Sequence, residues 1–179
     1  MDTEIDRILA VGYLGDVARR PIAEIRNLRL ECQSVETQLS YLRRVVQGRH
    51  DIVAGELDRR RDGGDPKDLA SLVDQLPQIL ADRIHSPGLG RLPQTLQPGD
   101  VSGRLFDRME SIVTENHLTT FLELSNAQLA TIATELEALE REVSNLRRAM
   151  FDRIDALQAE LTRRYRDGEA NVEELLHEA

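Results

Sequence analysis

From Pro21 to about Arg61 the apolar residues fall at Leu28, Cys32, Val35, Leu39, Leu42, Val46 and Val53, in steps that mostly alternate between four and three. That rhythm is a heptad seam and predicts a coiled-coil helix. A second seam follows the same rhythm at Ile132, Leu136, Leu139, Val143, Leu146, Met150 and Leu157. Arg49 fills the slot between Val46 and Val53, and Arg153 fills the equivalent slot between Met150 and Leu157. A pair of arginines in matching layers reads either as a polar layer that sets register or as a place where the seam opens to a ligand.

Around the seams the pattern changes. Residues 1–20 carry only a loose apolar series, Ile5, Leu9, Tyr13, Leu14 and Val17, weakened by Gly12 and Gly15. A short mobile segment that docks elsewhere is expected there. Pro21 suits a first helical position, and Asp62-Gly63-Gly64-Asp65-Pro66 supplies a helix stop, so 21–61 is the first coil helix. The connector, 62–101, holds a short amphipathic helix over 67–85 kinked at Pro77, then a Pro/Gly loop over 86–99. The span 102–167 reads as one long helix, or two with a break near Asn116, ending at Asp167-Gly168 before an acidic tail at 168–179.

The predicted fold is therefore all-α, a long antiparallel coiled-coil helical hairpin with a short connector helix. A 40-residue helix spans roughly 60 Å. Folding the chain about the connector brings Arg43 to the neighbourhood of Arg147, and the short helix is expected to cover Leu105 to Phe121.

The two seams also share polar identities. Glu36–Asp51, ETQLSYLRRVVQGRHD, returns 104 residues later as Glu140–Asp155, EREVSNLRRAMFDRID. Glu36, Ser40, Leu42-Arg43-Arg44, Arg49 and Asp51 all recur, and the match continues through Glu56-Leu57 with Glu160-Leu161 and Arg59-Arg60 with Arg163-Arg164. Two helices of similar geometry would share apolar spacing alone. Shared polar positions mark a repeat.

Composition narrows the class. Charged residues make up 31% and aromatic residues 3%, with no Trp, which fits extended helices better than a large compact core. The formal net charge of −9 argues against general DNA binding, which is driven by neutralising phosphates. The one cysteine, Cys32, permits no intrachain disulfide, and no apolar run approaches the roughly 20 residues of a membrane span. The acidic start MDTEIDRIL lacks the basic and apolar blocks of a signal peptide, so a cytoplasmic protein is expected. No nucleophile–base pair, phosphate-cradling Gly loop or His/Cys metal set is legible, and no enzyme activity is expected.

Glu36, Ser40, Arg43 and Gln47 each follow a seam residue by one, and Asp51 extends the line, so they form a polar stripe beside the seam over roughly 22 Å. An arginine fork suits guanine O6 and N7 or a phosphate, and a carboxylate suits the guanine N1–H and N2–H edge. On spacing alone the same stripe also fits the flanking positions of a structural coiled-coil scaffold without nucleotide binding.

The stripe E(x)3S(x)2R(x)3Q(x)3D resembles the signature of the RsiG-type anti-sigma factors of spore-forming actinobacteria. Glu36, Ser40, Arg43, Gln47 and Asp51 match every position; Glu140, Ser144, Arg147 and Asp155 match in the second copy, where Phe151 replaces the Gln. A chance match of five positions has odds on the order of one in a million per starting point. The resemblance implies two molecules of cyclic di-GMP as signalling ligand, one per motif, held by these nine residues. It further implies that the loaded protein sequesters a sporulation sigma factor of the WhiG type from core RNA polymerase. Arg43 and Arg147 would contact guanine or phosphate, Asp51 and Asp155 the guanine edge, and Glu36, Glu140, Ser40, Ser144 and Gln47 would complete the hydrogen bonding.

Overall fold

The computed structural model describes residues 2–66, 68–81, 103–113 and 121–168. Among them the chain forms five α-helices: α1 (Asp2–Leu9), α2 (Ile22–Arg61), α3 (Leu69–Ala81), α4 (Arg104–Ile112) and α5 (Asn126–Arg166). Short 3-10 turns at Val17–Arg19 and Phe121–Glu123 precede α2 and α5. No described residue lies in a strand.

The helix boundaries follow local chemistry. Pro21 precedes α2, and its carbonyl accepts the Ile25 N–H at 3.2 Å. Ser125 and Gln128 form a reciprocal capping box at the start of α5: the Gln128 N–H donates to Ser125 Oγ, and the Ser125 N–H donates to Gln128 Oε1. Both long helices end where glycine supplies a left-handed backbone, Gly63 at φ +93° and Gly168 at φ +72°.

The chain divides into two compact units, Met1–Leu39 with Asn145–Ala179, and Ser40–Ser144. We call them the terminal and the central unit. Each takes part of α2 and part of α5.

In the terminal unit, Arg26 Nη2 donates to Tyr165 Oη at 2.7 Å, Arg29 Nη1 to Gln158 Oε1 at 2.6 Å and Arg147 Nε to Glu36 Oε1 at 3.0 Å. Partners descend along α5 as α2 advances, so the helices are antiparallel. Ile25, Cys32, Val35, Leu39, Met150 and Leu157 fill the seam and are buried. Ile5 and Ile8 of α1 are buried as well. The segment before α2 thus docks, as expected, and it does so on the chain itself. Glu31 receives bonds from Arg7 and from the Tyr13 hydroxyl, and Arg20 donates to the Leu14 and Tyr13 carbonyls, so side-chain bonds hold the segment on its own helix.

In the central unit the order is again antiparallel, with Arg43 meeting Glu140 and Arg60 meeting Asn126. Leu42, Val46, Val53, Leu129, Leu136, Leu139 and Val143 are buried, together with Leu105, Met109 and Ile112 of α4. The span 102–166 is not one helix: α4 stops at Ile112 and α5 starts at Asn126. Of the two alternatives the break is right, although Asn116 itself lies outside the described residues. The short helix keeps Pro77 within it and shows a contact with α2, where Ile79 lies so near Gly55 that a Cβ there would sit 2.7 Å from Ile79 Cδ1. The 86–99 loop and most of the acidic tail also fall outside the described residues.

The two units are built alike. Both contain a short helix, a 3-10 turn, the first part of one long helix and the last part of the other. Arg60 donates to the carbonyls of Leu122 and Leu124 around one turn, and Arg164 donates to those of Val17, Ala18 and Arg20 around the other. These pairs obey the same 104-residue offset as the motif. The repeat therefore extends from the long helices back to the turns and to α1 and α4.

Candidate functional site

Each unit holds one cluster of motif residues. In the central unit Arg43 is the hub. Its Nε donates to Glu140 Oε1 at 2.8 Å and to Ser144 Oγ at 2.9 Å; Ser144 Oγ donates to Glu140 Oε1 at 2.9 Å, and Gln47 Nε2 donates to the same oxygen at 3.3 Å. Ser40 is half-buried in the same unit, and the Asp51 carboxylate lies 3.3 Å from His50 Nδ1.

The terminal unit repeats the hub with the copies exchanged. Arg147 Nε donates to Glu36 Oε1 at 3.0 Å, and the Arg147 guanidinium lies over the Phe151 ring, 5.1 Å from its centroid. Asp155 stands exposed two turns past Arg147 on α5. Each arginine is thus oriented by the glutamate of the other copy. Arg43 meets Glu140 and Ser144, the latter one turn before Arg147 along α5, which is the neighbourhood that folding about the connector implies. The long side chain reaches an acceptor on the facing helix, a pairing the one-dimensional spacing does not contain.

In both clusters the cross-helix bond is made through Nε, so the Nη edge of the fork is not spent on that carboxylate. The Arg43 and Arg147 side chains are 32% and 30% exposed, against 22% for Glu140 and 10% for Glu36. The carboxylates sit deeper and the guanidiniums nearer water. That is an arrangement able to receive an anion or a planar, acceptor-rich ring.

Further residues join the central cluster. Gln47, His50, Glu137, Glu140 and Arg141 line a cavity of about 360 Å³. Glu137 and Arg141 form an ion pair one turn apart, and the hydrogen bond from Arg141 holds the Glu137 carboxyl below its ordinary range. The stripe reading found neither of them. Their signal was their place on the face of α5 beside Glu140, visible once α2 is set against it.

The seam arginines are neither core residues nor part of these clusters. Arg49 Nη2 pairs with Glu110 of α4 at 2.7 Å, and Arg153 Nη2 reaches the Leu9 carbonyl at the end of α1 at 3.4 Å. α4 and α1 are thus each tied to a long helix by equivalent arginines, which favours the structural reading of the polar layer. Cys32 is fully buried, and burial pushes its thiol up from the usual value. No cluster of metal-binding type occurs among the described residues, and no helix among them is long and apolar enough to cross a membrane.

The fold and the paired stripes define an all-helical protein of long antiparallel helices with a repeated polar stripe. A comparison with curated proteins returns no match. The family model described as RsiG-like matches residues 12–80 and 115–179, and the chain belongs to that family. Membership gives it a regulatory, anti-sigma role, with a sigma factor as its class of partner.

Proposed function

We propose that the chain is an anti-sigma factor that takes two molecules of cyclic di-GMP, one at each Arg–Glu cluster, and in the loaded state sequesters a sporulation sigma factor of the WhiG type. The observation that carries this reading is the duplicated hub: Arg43 on Glu140 and Arg147 on Glu36, both through Nε and both about one-third exposed. Each guanidinium is pre-oriented, so less conformational freedom is lost when its remaining N–H groups meet guanine N7 and O6 or a phosphate oxygen. Glu36, Glu140 and Ser144 then act chiefly as positioning residues, with Gln47 beside them. Asp51 and Asp155, four residues beyond Gln47 and Phe151, then accept from the guanine Watson–Crick edge. Ser40 completes the stripe.

A ligand that becomes part of the protein–protein interface must strengthen partner binding by the factor by which the partner strengthens ligand binding. The protein is acidic overall, with a net charge of −9, so bound nucleotide adds anionic surface suited to a basic face on the partner. The expected cell compartment is the cytoplasm, where core RNA polymerase works.

A second reading has its own observation. The same Arg–Glu pairs are satisfied within the chain and would serve a plain coiled-coil scaffold as modest surface ion pairs. Titration calorimetry of cyclic di-GMP into the chain, alone and with the sigma factor, separates the two. Saturable binding of two nucleotides, cut tenfold or more by Arg43→Ala and by Arg147→Ala, supports the switch. Absence of heat under both conditions leaves the scaffold.

A further inference from the structure

We propose that the two clusters are chemically different ligand sites: a stacking site at Arg147–Phe151 and a hydrogen-bonding site at Arg43–Gln47–His50, so that the chain fills with nucleotide in two unequal steps. This rests on the proposed cyclic di-GMP binding and specifies how each site takes it. Only one position of the five-residue signature differs between the copies. Gln47 of the central unit donates to Glu140, whereas its counterpart Phe151 lies under the guanidinium of Arg147.

The surroundings differ in the same sense. His50, Glu137 and Arg141 line the cavity beside Gln47, and the 104-residue repeat puts Ile154, Gln33 and Thr37 in their places in the terminal unit. The central site therefore offers an ion pair, an imidazole and an amide around a cavity of about 360 Å³. The terminal site offers no ionisable group at any of those four positions. It offers a flat ring with a guanidinium over its face, 5.1 Å from the centroid.

These are two solutions to binding a purine. A guanidinium layered on an aromatic ring extends a stack that a third flat group, the guanine base, can join through its π-face. Stacking tolerates many bases, because every base has a π-face. The polar site instead reads acceptor and donor edges and disfavours a ring whose edge does not match its amide, carboxylate and guanidinium groups. The terminal site should thus accept purine dinucleotides broadly, and the central site should carry most of the discrimination for guanine.

The test is titration calorimetry of cyclic di-GMP and of cyclic di-AMP into the wild-type chain and into the variants Phe151→Leu and Phe151→Gln. Circular dichroism melts confirm that each variant is folded. Phe151→Leu keeps apolar bulk and removes the ring; Phe151→Gln restores the signature and keeps a helix-compatible residue should the first variant pack poorly. The wild type is expected to show two unequal classes for cyclic di-GMP, with cyclic di-AMP filling one of them. Phe151→Leu should weaken one class roughly tenfold and leave the other within about twofold, the loss expected for one base–ring stack. Phe151→Gln should weaken cyclic di-AMP binding and draw the two cyclic di-GMP classes together.

A wild-type isotherm with two equivalent sites, or Phe151 variants that bind both dinucleotides as the wild type does, would overturn the inference while leaving cyclic di-GMP binding intact. Absence of any nucleotide binding, with or without the sigma factor, would overturn both readings together.

Discussion

Arg43 shows why residue type matters at the motif. Its Nε bonds Glu140 and Ser144, and the side chain stays 32% exposed. Lysine has one charged nitrogen and cannot hold the carboxylate and also present a planar fork. Arg43→Lys should therefore lose nucleotide binding nearly as fully as Arg43→Ala. Its melting temperature should barely move, because a pair exposed to this degree contributes about 1 kcal/mol or less to stability. Calorimetry beside a thermal melt checks both halves, and unchanged binding by the lysine variant would remove the fork from the mechanism. Glu140 and Glu36 look equivalent to the arginines in the sequence signature, yet at 22% and 10% side-chain exposure they lie deeper. Depth is a property of the facing helix, which a stripe on one helix cannot report.

At the scale of elements, the last turn of each long helix is a clasp. Glu56 is fully buried between Arg59 and Arg60, and Glu160 pairs with Arg163 and Arg164. Hydrogen bonds from Arg163 and then Arg164 hold the Glu160 carboxyl down at about 2. A carboxylate depressed in the folded state stabilises it above the ordinary carboxylate value and loses that contribution as the pH falls through the folded one. Glu160→Gln should then melt below the wild type at pH 7, and the gap should close between about pH 5 and pH 2. A gap that persists at pH 2 would mean that packing, not charge, holds the clasp.

The glycines of α2 give a second test at this scale. Gly48 has nothing within 4 Å of the place its Cβ would occupy, whereas at Gly55 a Cβ would meet Ile79. Gly48→Ala should gain roughly 0.5–1 kcal/mol from helix propensity. Gly55→Ala should forfeit that gain by pushing α3 away, and denaturant unfolding of the two variants would reveal the difference. The pattern of apolar residues foretold α2 to within a residue and placed α3 and the break before α5. It missed α1, because Gly12 and Gly15 weaken local propensity there while burial of Ile5 and Ile8 and the bonds of Glu31 outweigh it.

At the scale of the whole molecule, the chain is a duplication in which each unit joins the first part of one long helix to the last part of the other. Polar identities revealed the repeat in the coil segments. The earlier elements escaped notice because their equivalents keep only apolar character: Ile5 with Met109 and Ile8 with Ile112 are buried at matching positions. The clasps show the same correspondence through backbone carbonyls, which carry no side-chain identity at all. Arg60 and Arg164 can therefore hold equivalent turns of unlike sequence.

The sequence by itself determined the helical class, the seams, the helix stops and the nine motif residues, because apolar periodicity, glycine geometry and a repeated polar stripe are local properties written in the order of residues. Only the tertiary structure decided that each motif arginine is held by the glutamate of the other copy, that Glu137 and Arg141 join one cluster, and that α1 is anchored. Those facts depend on which residues of distant segments come within about 3 Å of each other, and antiparallel register is set by side-chain reach across the seam rather than by spacing along it.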